Sequence, residues 1–147
     1  LDDYGVPVIP HIVVGLHYGR ILGEKEALKM VSRHNIKALA IVVIMPLPET
    51  EMTNVSPPRP LDVARVIIAA RLLMPYKPVL LGCARPRGSY KSAIDALSIR
   101  IGVNGIAYPS LEGYLIAKKL DLKIYFHQEC CSLIWYHLDT PASSRQV

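Results

Sequence analysis

Apolar segments of strand length alternate along the chain with segments whose apolar residues recur at helical spacing. Strands buried on both faces of a parallel sheet are nearly continuous apolar runs, and each is followed by an amphipathic helix. Four rounds of this pattern predict an α/β fold built from parallel βα units. The predicted strands are residues 6–16, 38–45, 79–82 and 105–108, and the predicted helices are residues 24–33, 62–74, 89–101 and 110–120.

Proline, glycine and serine mark several of the predicted boundaries. Pro75 ends the second helix, and Gly102 ends the third helix, which Ser89 is expected to cap. A proline-rich loop of residues 46–60 separates the second strand from its helix. A loop of this length is more often functional than structural, so we expect it to lie near a site.

The end of the chain departs from the repeating pattern. Residues 122–126 are apolar enough for a fifth strand, and the periodicity is lost after them. The polar C-terminal end is expected to be mobile. We therefore divide the chain into a domain of residues 1–127 and a less regular tail of residues 128–147, which carries the adjacent Cys130 and Cys131.

The composition is that of a folded, soluble protein. The chain has 147 residues, of which 51% are hydrophobic and 20% charged, enough for one domain with a core. Its mean hydropathy is +0.27. The longest apolar run, residues 38–45, is nevertheless far shorter than the roughly 20 residues that span a bilayer. No signal-type segment follows Leu1, and the chain is expected to be a soluble domain or a fragment of one.

Charge and cysteine content indicate which ligands and which compartment to expect. Lysine and arginine number 17 against 12 aspartate and glutamate, which gives a net charge of +5, but the basic residues are spread along the chain. This distribution favours anionic small molecules over nucleic acid. The three cysteines are an odd number, and Cys130 and Cys131 are adjacent, so a disulfide framework is not expected. A reducing cytoplasm fits best.

The segment of residues 15–26 is a glycine-rich connection between the first strand and its helix. Glycines allow close approach of the backbone, and the start of a helix offers free N–H groups to an anion or a polar ring edge. An ordinary βα turn explains two glycines equally well, and only further features of the chain separate the two interpretations.

The loop contains the pattern Gly19-x-Ile21-x-Gly23-x-x-Glu26, which resembles the G-x-I-x-G-x-x-E motif at the fifth barrel strand of radical S-adenosylmethionine enzymes. In that family the isoleucine region packs against the adenine of the cofactor. The resemblance implies that these four residues shape an adenosyl pocket for S-adenosylmethionine. His17, in the same loop, is expected to face the cavity.

Three further segments resemble biotin synthase, in the order that its barrel has them. Residues 62–75 resemble the helix before the seventh strand, residues 79–85 the strand that ends in Ala-Gly-Arg, and residues 101–106 the eighth strand. The resemblance covers roughly residues 6–110 and implies the C-terminal half of a TIM-type (β/α) barrel. The family's C-x-x-x-C-x-x-C motif, which binds the main iron–sulfur cluster, is absent from this sequence. An N-terminal half is therefore implied as partner, from the same gene or as a separate subunit.

Arg85 and the three cysteines are the candidate metal ligands. By position Arg85 resembles the arginine that ligates the auxiliary cluster of biotin synthase; a surface or phosphate-binding arginine is the alternative. Cys83 ends a buried strand, and Cys130 and Cys131 could fold back over the barrel mouth towards it. The resemblance to sulfur-inserting enzymes implies that these thiolates hold an auxiliary iron–sulfur cluster, whereas simple packing is the alternative.

A short segment after the third strand, Arg87-Gly88-Ser89-Tyr90, resembles the R-S-S-Y ending of lipoyl synthase, whose serine ligates its auxiliary cluster. Gly88 departs from that pattern, and the segment lies elsewhere in the chain. We therefore interpret Ser89 as a helix cap.

The histidines give no metal motif. His11 and His17 flank the first strand, where a histidine is more often a hydrogen-bonded structural residue than a ligand. His34, His127 and His137 have no partner at metal-ligand spacing. None of the five is predicted to bind a metal.

The resemblance implies part of an enzyme that cleaves S-adenosylmethionine reductively and abstracts hydrogen from an unactivated carbon, with sulfur insertion as the outcome. The expected substrate is a small molecule or an acyl-carrier-type chain. One alternative is a non-catalytic half-barrel that completes a site with a partner chain, since four βα units leave two open sheet edges. Another is an open, doubly wound α/β domain that binds a nucleotide at its first loop.

Overall fold

A computed structural model describes residues 4–139 of the chain. Four parallel strands form one sheet in the order β1-β2-β3-β4. They are β1 (His11–Val14), β2 (Leu39–Val43), β3 (Val79–Leu81) and β4 (Gly105–Ile106). One row of apolar residues crosses the whole sheet, because Ile12 pairs with Ile41, Ile41 with Leu81 and Leu81 with Ile106. The predicted parallel α/β fold is confirmed.

The strands are connected by α1 (Glu24–Val31), α2 (Pro60–Leu73) and α3 (Ser89–Ile101), and α4 (Leu111–Lys119) follows β4. Pro60 begins α2, where its missing N–H sacrifices no hydrogen bond. Gly102 ends α3 with a left-handed φ of 89°. At the start of α4, the Ser110 hydroxyl accepts a hydrogen bond from the N–H of Gly113. A 3-10 turn (Cys131–Leu133) and α5 (Ile134–Asp139) complete the described chain.

The helices α1, α2 and α3 pack on one face of the sheet. Leu28 of α1, Ile67 of α2 and Ile94 of α3 belong to one buried cluster with alternate residues of β1, β2 and β3. Parallel crossovers are right-handed, so a sheet that adds strands in one direction carries its helices on one side. A doubly wound sheet reverses its strand order, and this sheet does not; that alternative is wrong. The order is that of consecutive strands in a (β/α) barrel.

The strands are shorter than the apolar runs that predict them. The first run spans residues 6–16, but β1 begins at His11. Pro7 and Pro10 lack the N–H that a ladder needs, and Gly15, with a φ of 85°, turns the chain out of the extended conformation. The third helix has the predicted bounds, but its N-cap is Gly88 without a side-chain hydrogen bond, so Ser89 is not the cap.

The C-terminal segment lies against the other face of the sheet. That face carries the buried side chains of Ala40, Val42 and Leu80. Ile134 approaches Gly105 so closely that a Cβ there would lie 3.6 Å from its Cγ2 atom. The Ser132 Oγ lies 3.4 Å from the Nε2 of His11. In a closed barrel this face would point to the interior.

The two predictions for the C-terminal part of the chain are not confirmed. Residues 122–126 form no strand in the described structure, so the predicted fifth strand is wrong. Residues 140–147, which the sequence predicts to be mobile, lie outside the described residues. Within residues 4–139, no helix has both the length and the apolar character that crossing a membrane requires.

Candidate functional site at the carboxyl ends of the strands

The cysteines of the tail reach the loop that follows β3. Cys131 is buried, and its sulfur lies by the backbone N–H of Cys83. The thiols of Cys83 and Cys130 are both close enough to raise the pKa of Cys131. Cys83 and Cys130 are exposed, and all three thiols are free. The fold therefore brings together three side chains that bind soft metals, although the β3 loop and the tail lie far apart in the sequence.

The three thiols differ in how readily they ionise. Burial raises the pKa of Cys131 above its usual range, and the neighbouring sulfurs of Cys130 and Cys83 add to the increase. The backbone N–H of Ser132, followed by its hydroxyl, lowers the pKa of Cys130; the two side-chain atoms are 3.8 Å apart. Because the thiolate is the form that binds metals, Cys130 is better prepared for that role than Cys131.

Arg85 is buried beside the cysteine loop and bonded on several sides. Its Nε donates to Oδ1 of Asp95 at 2.8 Å, and neither side chain is exposed. Its terminal nitrogens donate to three backbone carbonyl oxygens, those of Gly82 at 2.5 Å, Ala107 at 2.8 Å and Tyr108 at 3.3 Å. The guanidinium thereby links the ends of β3 and β4 to helix α3.

Asp95 completes this network from α3. Its Oδ2 accepts hydrogen bonds from Lys91 Nζ at 2.9 Å and from the backbone N–H of Ser110 at 2.7 Å. Burial works to raise the pKa of Asp95, but the bonds from Arg85, Lys91 and Ser110 outweigh it and hold the pKa below its usual value. A guanidinium cation has donors and no free lone pair. The geometry thus supports a structural role for Arg85, and its ligand role stays a prediction.

Glu24 organises the loop between β1 and α1. Its carboxylate is buried and accepts the backbone N–H of Gly15 at 2.7 Å and that of Leu22 at 2.8 Å. Glu24 is also the first residue of α1, where the free N–H groups of the helix favour a negative charge. The resemblance singles out Glu26, whereas the carboxylate that shapes the loop belongs to Glu24. Its position at the start of a predicted helix is the signal that could have identified it.

Two glycines let this loop pack against residues 55–58. Gly15 and Gly19 have left-handed φ angles of 85° and 77°. A Cβ on Gly15 would lie 2.5 Å from the ring of Pro58, and one on Gly19 would lie 2.0 Å from the carbonyl oxygen of Ser56. The second contact is with backbone, which cannot move aside as a side chain can.

Gly19→Ala is therefore expected to lower the free energy of unfolding by about 1–3 kcal/mol, because it adds both strain and overlap. Gly23→Ala is the matched control, since Gly23 has a φ of −106° and a Cβ added there would meet open space out to 4 Å. Urea denaturation measures both. An equal decrease in the free energy of unfolding for the two variants would contradict the close packing of Gly19 against residues 55–58.

A pocket of about 670 Å³ lies beside this loop. Of the five residues predicted to bind the cofactor, Gly19 and Ile21 line it. His17 in the same loop, Gly23 at the N-cap of α1 and Glu26 in the first turn of α1 lie outside the lining. The other lining residues are the apolar Leu28, Pro57, Pro58, Val66 and Ala69, and the charged Arg20, Lys25, Arg59, Asp62 and Arg65.

The structure corrects one prediction about the histidines. His127 and His137, which the sequence pattern leaves without partners, converge on Glu129. The three ligand atoms all lie within 4.8 Å of one another. The 3-10 turn and α5 return the chain to its own preceding segment, and spacing along the sequence does not reveal this contact.

The fold is a parallel α/β domain, and its three thiols gather beside the loop that follows β3. The model of the family described as Biotin and Thiamin Synthesis associated domain matches residues 40–124, more than half of the chain, and the chain belongs to this family. The domain occurs in radical S-adenosylmethionine enzymes of the biotin synthase type. Among proteins with curated descriptions, none matches the chain. The family match includes Cys83 and Arg85 but neither the 15–26 loop nor Cys130 and Cys131.

Proposed function

We propose that this chain is the C-terminal half of the barrel of a radical S-adenosylmethionine enzyme that inserts sulfur, in the manner of biotin and lipoyl synthases. Family membership and the strand order support the proposal. The approach of Cys131 to Cys83 carries it. Thiols gathered beside the loop that follows β3 are suited to an auxiliary iron–sulfur cluster, because the loops after the strands line the mouth of a barrel.

In this proposal Cys83, Cys130 and Cys131 hold the auxiliary cluster. Within residues 4–139, the single set of three metal-binding side chains with all ligand atoms inside 4.8 Å is the histidine–glutamate set, so the sulfurs are spread more widely. A cluster of several irons, each bound by its own thiolate, suits that wider spacing better than one ion does. Arg85 would act by fixing the strand ends from which the Cys83 loop projects.

The adenosyl side of S-adenosylmethionine would lie at the β1–α1 loop. Gly19 and Gly23 keep the backbone accessible, and Ile21 offers apolar surface to the adenine ring. His17 in the loop and Glu26 in the first turn of α1 would supply polar contacts. When bound, the cofactor supplies the radical chemistry, while the chain's own residues orient the adenosyl group and shield it from water.

A partner would complete the barrel. No strand within residues 4–139 pairs with the outer edge of β1 or of β4. An N-terminal half carrying the C-x-x-x-C-x-x-C motif would cover these edges, whether it comes from the same gene or from a second subunit. The substrate would be a small molecule or a chain on an acyl carrier, and the compartment the cytoplasm.

Anaerobic reconstitution of the full chain with iron and sulfide tests the proposal. The wild type is expected to take up several iron atoms per chain and to give an electron paramagnetic resonance signal on reduction. The variant with Cys83→Ser, Cys130→Ser and Cys131→Ser is expected to lose both. Ser89→Ala is the matched control, since it removes the side chain that resembles the lipoyl synthase ligand and is expected to leave the cluster in place.

A wild type without a cluster, or a triple variant that keeps one, would overturn the cysteine assignment. The chain would then be a non-catalytic half that completes a site with its partner. Circular dichroism of the triple variant establishes that any loss is not a loss of fold.

A further inference from the structure

We propose that His127, Glu129 and His137 form a binding site for a single divalent transition-metal ion of the Zn²⁺ type. The site is separate from the cysteines and goes beyond the proposed function. Nδ1 of His127 lies 3.8 Å from Oε2 of Glu129, and Nε2 of His137 lies 3.6 Å from Oε1 of the same carboxylate. All three ligand atoms are within 4.8 Å of one another.

These separations fit ligands around an ion better than they fit hydrogen bonds. An N–H···O bond joins its heavy atoms at about 2.7–3.2 Å, and both nitrogen–oxygen distances are longer. Zn²⁺ binds imidazole nitrogen and carboxylate oxygen at about 2.0–2.2 Å, which places neighbouring ligands of a tetrahedron about 3.4 Å apart. A small adjustment of the side chains would bring the three atoms to that spacing.

The chemistry of the donors points to the same class of ion. Two imidazoles and one carboxylate suit Zn²⁺ and its neighbours among the transition metals, whereas Ca²⁺ and Mg²⁺ prefer oxygen ligands alone. The two rings are stacked, with centroids 4.4 Å apart and an angle of 26° between the planes. The stack holds the two rings side by side, next to the carboxylate of Glu129.

The surroundings leave room for further ligands. His127, Glu129 and His137 line a cavity of about 950 Å³ that extends along β4 and α4. His127 and His137 are half-buried, and Glu129 is exposed towards solvent. Three protein ligands beside an open cavity leave the fourth position to water or to a small molecule, as an exchangeable zinc site has.

The bound ion would stabilise the segment that contains Cys130 and Cys131. Glu129 directly precedes Cys130, His127 lies shortly before it, and His137 follows it in α5. A bound ion would therefore join the two sides of the turn that brings Cys131 to Cys83. Metal binding of this kind stabilises the folded form of the segment that supplies the ligands.

Titration with Co²⁺ tests the site, because its absorption spectrum reports the ligands. The full chain is used with Cys83, Cys130 and Cys131 changed to Ser, which removes thiolate binding. We expect one Co²⁺ per chain with ligand-field bands and no thiolate charge-transfer band. Adding His127→Ala or His137→Ala should weaken binding by more than the roughly 100-fold typical of losing an outer-shell partner.

His34→Ala is the matched control, since His34 is an exposed histidine on another part of the chain, and it should bind Co²⁺ as its parent does. Histidine ring resonances of the wild type, followed by nuclear magnetic resonance during addition of Zn²⁺, give a readout independent of the serine background. Those of His127 and His137 should shift while that of His34 does not. Absence of saturable binding, or equal shifts for all histidines, would overturn the proposal.

Discussion

Arg85→Met is expected to lower the free energy of unfolding by about 3–5 kcal/mol, the usual loss when one partner of a buried ion pair is removed. The carboxylate of Asp95 has no exposed surface and would lose its closest cation. The carbonyl oxygens at the ends of β3 and β4 would also lose their donor. Methionine fills a similar volume, so the loss reports the charge and the hydrogen bonds more than a cavity. Urea denaturation measures it.

The control for this variant is another arginine–aspartate pair on the surface. Arg65 Nη1 lies 2.5 Å from Oδ1 of Asp62, but the Arg65 side chain is 73% exposed. Arg65→Met should therefore cost about 1 kcal/mol or less. If Arg85→Met is as stable as Arg65→Met, the hydrogen bonds of Arg85 do not stabilise the ends of β3 and β4.

The hydrogen-bond network of Arg85 and Asp95 also makes the free energy of unfolding depend on pH. The pKa of Asp95 is held below its usual value in the folded chain, so its contribution is complete above the unfolded pKa of about 3.9. That contribution is lost as the pH falls through the lower, folded pKa. The free energy of unfolding of Asp95→Asn should therefore decrease less at acid pH than that of the wild type. Urea denaturation across the acid range measures this difference.

Glu24→Ala is expected to lower the free energy of unfolding by about 1.5–3 kcal/mol, since its buried carboxylate is the acceptor for two backbone N–H groups. Without it, the N–H of Gly15 stays buried and unpaired at the end of β1. The loop that carries Gly19 and Ile21 would loosen, so any affinity for S-adenosylmethionine that the proposed function gives this loop is expected to fall with stability. Thermal unfolding and equilibrium dialysis measure the two effects.

Glu26→Ala is the natural comparison, two residues along the same helix. The Glu26 side chain is 67% exposed and its Oε1 lies 3.0 Å from the Nζ of Lys29, a surface pair worth about 0.5 kcal/mol. Its loss should leave the fold intact. If Glu26→Ala destabilises the chain more than Glu24→Ala does, the assignment of the loop-forming carboxylate is wrong.

The fold follows from the sequence to a large extent, because each buried strand is an apolar run that only burial on both faces explains. The ends of the strands do not follow from hydrophobicity alone. Proline at positions 7 and 10 and the left-handed Gly15 confine β1 to four residues. Residues 122–126 have the composition of a strand, but β4 offers them no hydrogen-bonded pairing in the described structure.

The candidate site follows from the sequence in part. The sequence analysis expects the cysteines of the tail to fold back towards Cys83, and Cys131 does lie by Cys83. The fifth strand expected to precede them is absent from the described structure, and the tail instead lies across the face of the sheet. The histidine–glutamate set does not follow, since His127 and His137 lie far apart for a metal motif and meet through a turn that has no sequence signature. The position of Arg85 in the sequence suggests a metal ligand. The hydrogen bonds of its guanidinium could not be predicted, because they join two strand ends and a helix that only the fold brings together.

Mössbauer spectroscopy of the full chain, reconstituted with isotopically enriched iron, is the decisive test of the auxiliary cluster, because it distinguishes an iron–sulfur cluster from isolated iron ions. We expect the spectrum of a cluster in the wild type, its loss in the triple cysteine-to-serine variant, and its presence in His127→Ala. A spectrum of isolated ferrous ions that survives the loss of all three cysteines would contradict it. The iron would then lie elsewhere, and the cysteines would hold no cluster.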